Sequence, residues 1–200
     1  MKVWRTLLLI VALLVPPGIA AVVSRSQQFP RRFAEVVPAS IYRGGFPSAD
    51  HIYNLANEKR IRTVVSLTDL KEAPKYAEEV EAARSAGLRL LRYPLHGDGR
   101  GEFDDLDKAA DAIGDKANWP VFFHCDAGKQ RSNAVLAAYR LRKCGWTIDK
   151  ALDELESKYD LDREKEKVLV DYLREYAERI GRPVTVPGQS RNLPRQFSLS

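Results

Sequence analysis

The chain has 200 residues, 44% of them hydrophobic and 30% charged, which suits one globular domain with a sizeable core. Its formal charge of +5 comes from the two ends: setting aside Lys2, Arg5, Arg182, Arg191 and Arg195 leaves 27 basic and 27 acidic residues between positions 25 and 181. A neutral domain argues against nucleic-acid binding despite a pI of about 9.2, and two cysteines make no disulfide framework.

In chain order, Lys2 and Arg5 precede an uncharged run from Thr6 to Val23, the layout of a basic n-region and an apolar h-region. Residues 1–24 are therefore expected to be a signal peptide or membrane anchor, making the protein membrane-associated or exported. Pro16-Pro17-Gly18 breaks the run, as suits a signal peptide. Gly18-Ile19-Ala20 or Ala21-Val22-Val23-Ser24 would be a poor cleavage signal, so removal and retention both fit. Arg25, Arg31 and Arg32 rival Lys2 and Arg5 in charge, which leaves the orientation open.

Ser40 to Pro47 reads as a short strand into a turn, with Ser48 placed to cap a helix to about Lys59. Arg62 to Leu67 is a strand apolar enough to be buried on both faces. A helix is expected from Pro74 to Ala86, stopped by Gly87, then a strand from Leu88 to Leu95 and a loop from His96 to Glu102. A helix from about Asp104 to Ile113 leads to the apolar strand Val121 to His124, a helix from Arg131 to Lys143, and two charged amphipathic helices near 148–158 and 163–180. Alternating strands and helices imply an α/β domain, residues 25–181, with a central, mostly parallel sheet of four or five strands flanked by helices. Sites in such sheets lie at the carboxyl ends of strands, where Cys125 falls. The tail, residues 182–200, has no apolar periodicity and reads as a disordered basic extension.

The sequence His124-Cys-Asp-Ala-Gly-Lys-Gln-Arg-Ser132 sets a cysteine and an arginine six positions apart between an apolar strand and a helix. Successive N–H groups of such a loop (Asp126, Ala127, Gly128, Lys129, Gln130) can form a nest for an anion, aided by the helix dipole. The same field favours a thiolate over a thiol. Gly128 permits dihedrals that a Cβ forbids, Arg131 offers a planar fork to two phosphate oxygens, and Ser132 can donate to sulfur. A helix from 131 to 144 would separate Cys125 and Cys144 by roughly 20 Å, too far for a disulfide, and Cys144 reads as structural.

Residues 124–132 fill every fixed position of the His-Cys-x5-Arg-Ser/Thr signature, and the chain from about 38 to 160 resembles cysteine phosphatases of the protein tyrosine phosphatase superfamily. Ile41 to Pro47 and Thr63 to Leu67 look like its compact dual-specificity branch. The resemblance implies hydrolysis of phosphomonoesters through a phosphocysteine intermediate, with no cofactor and no metal. Catalytic residues would be Cys125, Arg131, Ser132 and, on an upstream loop, Asp98 as general acid; Asp104, Asp105 and Asp107 compete but suit the first turn of a helix. His124 would brace the loop. Lys129 resembles the lysine of lipid- and inositol-directed members, with a solvated side chain as the alternative, whereas Asp126 stands where a basic residue is common and makes the pocket less positive. Asn133 replaces a small residue and is expected to alter packing only. Arg43, His51, His96 and Arg100 are expected at the surface, although Arg100 could reach substrate.

The expected partner is a phosphorylated protein or small phosphomonoester, with membrane contact through the N-terminus and a monomeric state. A phosphoinositide or inositol phosphate phosphatase of the same fold is the alternative. A rhodanese-type sulfurtransferase fits less well, since its loop is a residue shorter; a low-molecular-weight tyrosine phosphatase would carry its loop near the N-terminus; a dead phosphate-binding module would not need every chemical role filled. No His, Cys and carboxylate cluster has metal-ligand spacing.

Overall fold

A computed structural model describes residues 28–69 and 73–182. The expected leader, residues 1–24, and the tail beyond Arg182 lie outside the described residues. Among those described, no helix is long and apolar enough to cross a membrane.

Five strands form one sheet in the order β1-β2-β5-β3-β4. They are β1 (Ala34–Val37), β2 (Ile41–Gly44), β3 (Thr63–Ser66), β4 (Arg89–Arg92) and β5 (Val121–His124). β1 pairs antiparallel with β2 and all other pairs are parallel, so the sheet is mostly parallel, as the alternating elements imply. β1 was not foreseen: a short edge strand of Ala, Glu and two Val has too weak a pattern to stand out. The strand expected over 88–95 is confined to Arg89–Arg92.

Among the described residues, six α-helices flank the sheet: α1 (Ala49–Glu58), α2 (Ala73–Ser85), α3 (Phe103–Gly114), α4 (Gln130–Lys143), α5 (Ile148–Lys158) and α6 (Lys167–Arg179). Side chains alternate across a strand, and the core divides accordingly. Tyr42, Val64 and Phe122 face one cluster with Phe29, Leu55 and Ile61. Ile41, Val65, Val121 and Phe123 face a larger one that includes α3, α4, α5 and α6. Ser48 caps α1 as expected, and His51 completes a capping box by accepting from the Ser48 N–H. The last helix begins at Lys167 rather than near Arg163, because residues 163–166 form turns in which the N–H groups of Glu164 and Lys165 donate to Asp162.

α4 packs on α3, α5, α6 and β5, and every residue from Arg131 to Leu141 is buried. Being surrounded, it shows almost no one-sided pattern. Cys144, its C-cap, is exposed, and both cysteines are free. The large core cluster predicts that Leu136→Ala, at a site with 0% exposure, costs about 2–5 kcal/mol, measured by chemical denaturation of the full-length chain.

Candidate active site

β5 lies between β2 and β3, so His124 is opposite both Gly44 and Ser66 at the carboxyl edge of three parallel strands. The chain then crosses from that edge into α4 in five residues, Cys125 to Lys129. Three successive carbonyls of this loop each accept from an arginine: Asp126 O from Arg31 Nη2 at 2.9 Å, Ala127 O from Arg32 Nη1 at 3.2 Å, and Gly128 O from Arg43 Nη2 at 3.0 Å. The Phe46 N–H also donates to Asp126 O at 3.1 Å. In a trans peptide the C=O and the next N–H point in opposite directions, so the N–H groups of residues 127 to 129 turn away from the arginines. Gly128 has φ +68, and a Cβ there would lie 2.6 Å from the backbone of Gly44 and Gly45. Glycine is therefore required by both its dihedral and its neighbours.

Cys125 is 2% exposed, and the Ser132 hydroxyl donates to its Sγ at 3.3 Å. Arg131 follows in the first turn of α4, 9% exposed. The structure thus brings Cys125, Gly128, Gln130, Arg131 and Ser132 into one loop and helix start. His124, 0% exposed, is bound through Nε2 to Glu79 Oε1 at 2.6 Å. Glu79 Oε2 in turn accepts from Arg92 Nη2 at 2.6 Å, and Arg92 Nη1 donates to Ser66 Oγ. Burial alone would raise the Glu79 carboxyl, but its bonds and charge contacts with His124 and Arg92 outweigh this and hold it below its usual range.

Two expectations need correcting. Arg43 is not at the surface but 1% exposed; its donors reach Gly128 O and, at 2.8 Å, Asn133 Oδ1. Asn133 is more than a packing change, since its Nδ2 also donates to Tyr159 O at 3.3 Å and ties α4 to the end of α5. Glu79, Asn133 and the three arginines were missed as site residues. Glu79 reaches His124 from 45 positions away and the arginines reach the loop from 85 to 95 away, while Asn133 bonds Tyr159 26 positions on; no local pattern announces such contacts.

Asp98 sits in the expected loop but is engaged by Arg100, whose Nη2 lies 2.7 Å from Oδ2 and whose backbone N–H donates to Oδ1. The hydrogen bonds from the Arg100 side chain, opposed by slight burial, hold the Asp98 carboxyl below its ordinary value. The loop rests on the start of α4: Gly99 has φ +89, and a Cβ on it would meet Gln130 O at 2.8 Å. Asp104 and Asp105 occupy the first turn of α3 as expected, paired with Arg179 and Lys108, while Asp107 holds Tyr176 and Arg142. Lys129 lies 3.5 Å from Glu166, and Asp126 pairs with Lys75 at 3.3 Å. A cavity of about 410 Å³ beside Arg131 is lined by Asp69, His96, Glu102 and Asp105. Among the described residues, no cluster of His, Cys, Asp or Glu is placed to hold a metal ion.

Because Glu79 is depressed, its contribution to stability is complete above the unfolded value, about 4.3, and is lost as pH falls through the lower folded value. Glu79→Gln should cost about 3–5 kcal/mol at neutral pH. It should also flatten the acid limb of stability against pH below about 4, both read by denaturant titrations across pH.

A model of the tyrosine phosphatase family matches residues 29–185, which contain every element above. A protein of Oryza sativa subsp. japonica named inositol diphosphatase DSP2 is 31% identical over 134 residues, 64% of this chain and 61% of that protein. The dual specificity protein phosphatase TpbA of Pseudomonas aeruginosa is 26% identical over 117 residues, 58% of this chain and 50% of that protein. The chain thus spans less than two thirds of the length of these curated relatives. Among solved structures, the core catalytic domain of the PP-IP phosphatase SIW14 from S. cerevisiae superposes with a TM-score of 0.58 at 22% identity, covering 76% of this chain and 94% of that one. TpbA superposes with a TM-score of 0.59 at 22% identity, covering 76% and 92%. These likenesses show the fold, and the match across most of the chain shows the family: this protein belongs to the tyrosine phosphatase family.

Proposed function

We propose that the protein hydrolyses phosphomonoesters with Cys125 as nucleophile, a reading carried above all by the loop that turns three N–H groups away from three arginines beside a cysteine bonded to Ser132. In the first step the Cys125 sulfur attacks phosphorus, the ester P–O bond breaks, and Asp98 gives its proton to the leaving oxygen. Arg131 and the N–H groups of residues 126 to 130 hold the phosphoryl oxygens as charge shifts among them. In the second step water attacks phosphorus, Asp98 takes a proton from it, and the S–P bond breaks with the electron pair returning to sulfur. The Ser132 hydroxyl, at 3.3 Å, supports that leaving thiolate. His124, held by Glu79 at the end of β5, braces the start of the loop and takes no part in the proton transfers of the reaction.

The substrate we favour is a phosphorylated protein, tyrosine or dual-specificity. Polyphosphate esters call for several free cations, yet among the described residues three cations around the loop are each paired with a carboxylate: Lys129 with Glu166, Arg100 with Asp98 and Lys75 with Asp126. The cavity beside Arg131 adds Asp69, Glu102 and Asp105. An inositol phosphate is the second reading, favoured by the relatives named inositol diphosphatases and by Lys129 in the loop. For residues 1–24 we propose a targeting segment; fused to a reporter active only outside the cytoplasm, it should confer activity, and a silent fusion would refute export.

The full-length chain should cleave an aryl phosphate in EDTA, be blocked by vanadate and lose turnover in Cys125→Ser. Need for a divalent metal would contradict this mechanism. Peptide phosphotyrosine or phosphothreonine should be turned over at least about tenfold faster than an inositol pyrophosphate; the reverse ratio selects the second reading. The activity that needs protonated Asp98 should fall as pH rises through its value. Arg100→Ala removes the bonds that lower that value, so the descending limb of kcat/KM against pH should move to higher pH. An unmoved limb, together with full activity of Asp98→Asn on a poor leaving group, sends the acid role to Asp104 or Asp105.

A further inference from the structure

Arg43 is a buried cation that the chemistry above does not touch. In β2 it stands opposite Phe123, on the sheet face from which Cys125 continues into the large core cluster. It is 1% exposed, its guanidinium carbon lies 4.3 Å from the centre of the Tyr159 ring, and its Nε and Nη1 are buried without a hydrogen-bond partner. The two acceptors it does reach, Gly128 O and Asn133 Oδ1, are neutral. Arg31 and Arg32, which hold the neighbouring carbonyls, are exposed.

Burying a cation without a countercharge is costly. Desolvation lowers the Arg43 guanidinium to about 10, while the charges of Tyr159, Cys125, Glu154 and Asp160 act to raise it; it stays cationic at neutral pH. Two of those acids already have cations, since Glu154 binds Arg140 at 2.7 Å and Asp160 binds Arg32 at 3.0 Å. Tyr159 is itself raised, first by burial, and so is neutral. Cys125, two residues past Phe123 and in the loop whose Gly128 carbonyl Arg43 holds, is the remaining candidate.

We propose that Arg43 is a positioning residue and fixed countercharge for Cys125, holding the Gly128 carbonyl outward and favouring the thiolate from behind the loop. The two effects share one side chain: the bond to Gly128 O orients the peptide planes, and the cation contributes to the field that the N–H groups and the α4 dipole create. The groups facing Arg43 are Glu154 and Tyr159 from α5 and its cap, Asp160 beyond it, Asn133 from α4 and Cys125 from the loop. Around Cys125 stand Arg131 and Ser132, with the His124, Glu79 and Arg92 chain. The inference rests on Cys125 being the nucleophile, but its test does not require turnover.

In a Cys144→Ser background, iodoacetamide can alkylate only Cys125, and the rate against pH in the full-length chain reports the thiolate directly. Arg43→Gln keeps a donor for Gly128 O and removes the charge; Asn133→Asp keeps Arg43 and its acceptor while adding a countercharge. Both should move the alkylation midpoint up by about one pH unit, making alkylation about tenfold slower below the midpoint. Arg43→Lys should restore most of the shift. Rates are read at low temperature, with each variant's melt taken in parallel. An unchanged midpoint in a folded Arg43→Gln or Asn133→Asp variant would overturn the proposal. So would failure of both to fold, which would make Arg43 a folding residue only. Absence of phosphatase turnover in the parent chain, with the alkylation midpoint still moved by Arg43→Gln and Asn133→Asp, would instead count against the phosphatase reading and not against this inference.

Discussion

The site depends on the outward pull on three consecutive carbonyls. Asp126, Ala127 and Gly128 each surrender their oxygen to an arginine from the segment between residues 31 and 43, and peptide geometry then commits the following N–H groups to the other side. A loop of five residues cannot hold such an arrangement by its own hydrogen bonds. The strand edge supplies the rest: Gly128 fits against Gly44 and Gly45 because neither side has a side chain in the way. The proposed binding of an anion and support of a thiolate both rest on that one backbone posture.

Charge around the loop is handled by pairing, with different results at different depths. At the surface, pairs such as Lys75 with Asp126 or Arg100 with Asp98 are half in water and add little to stability. Their weight lies in what they take away from a substrate, namely free cations. The buried set of His124, Glu79 and Arg92 is different, since losing one member would strand the others without solvent. It locks the residue immediately before Cys125. Arg43 belongs to the buried class but lacks a bonded carboxylate, which is why Cys125 is proposed as its countercharge.

The candidate loop was legible because its parts are local. Cys125, Gly128, Arg131 and Ser132 lie within one strand end, loop and helix start, so spacing alone places them together. β3 declared itself as an apolar run fit for burial on both faces and β5 as a short apolar strand, and α5 matched its expected span of 148–158. What stayed hidden is long-range. An arginine at position 43 looks like a surface residue until the sheet puts it beside Phe123 and under Tyr159. Glu79 is one of three acids on a weakly patterned helix, and only the packing of α2 sets it apart by pointing it at His124. The place of Asp98 was readable from the loop, but its bond to Arg100 was not, because two residues of separation allow many side-chain arrangements.

The central claim is that Cys125 itself carries the phosphoryl group during turnover. Rapid acid quenching of the full-length chain with an aryl phosphate, followed by mass analysis of its peptides, reads this directly. The account predicts one phosphoryl group on the peptide containing Cys125, appearing within a turnover and absent from Cys125→Ser. Steady turnover with that peptide unmodified, or with the phosphoryl group on another residue, would contradict it.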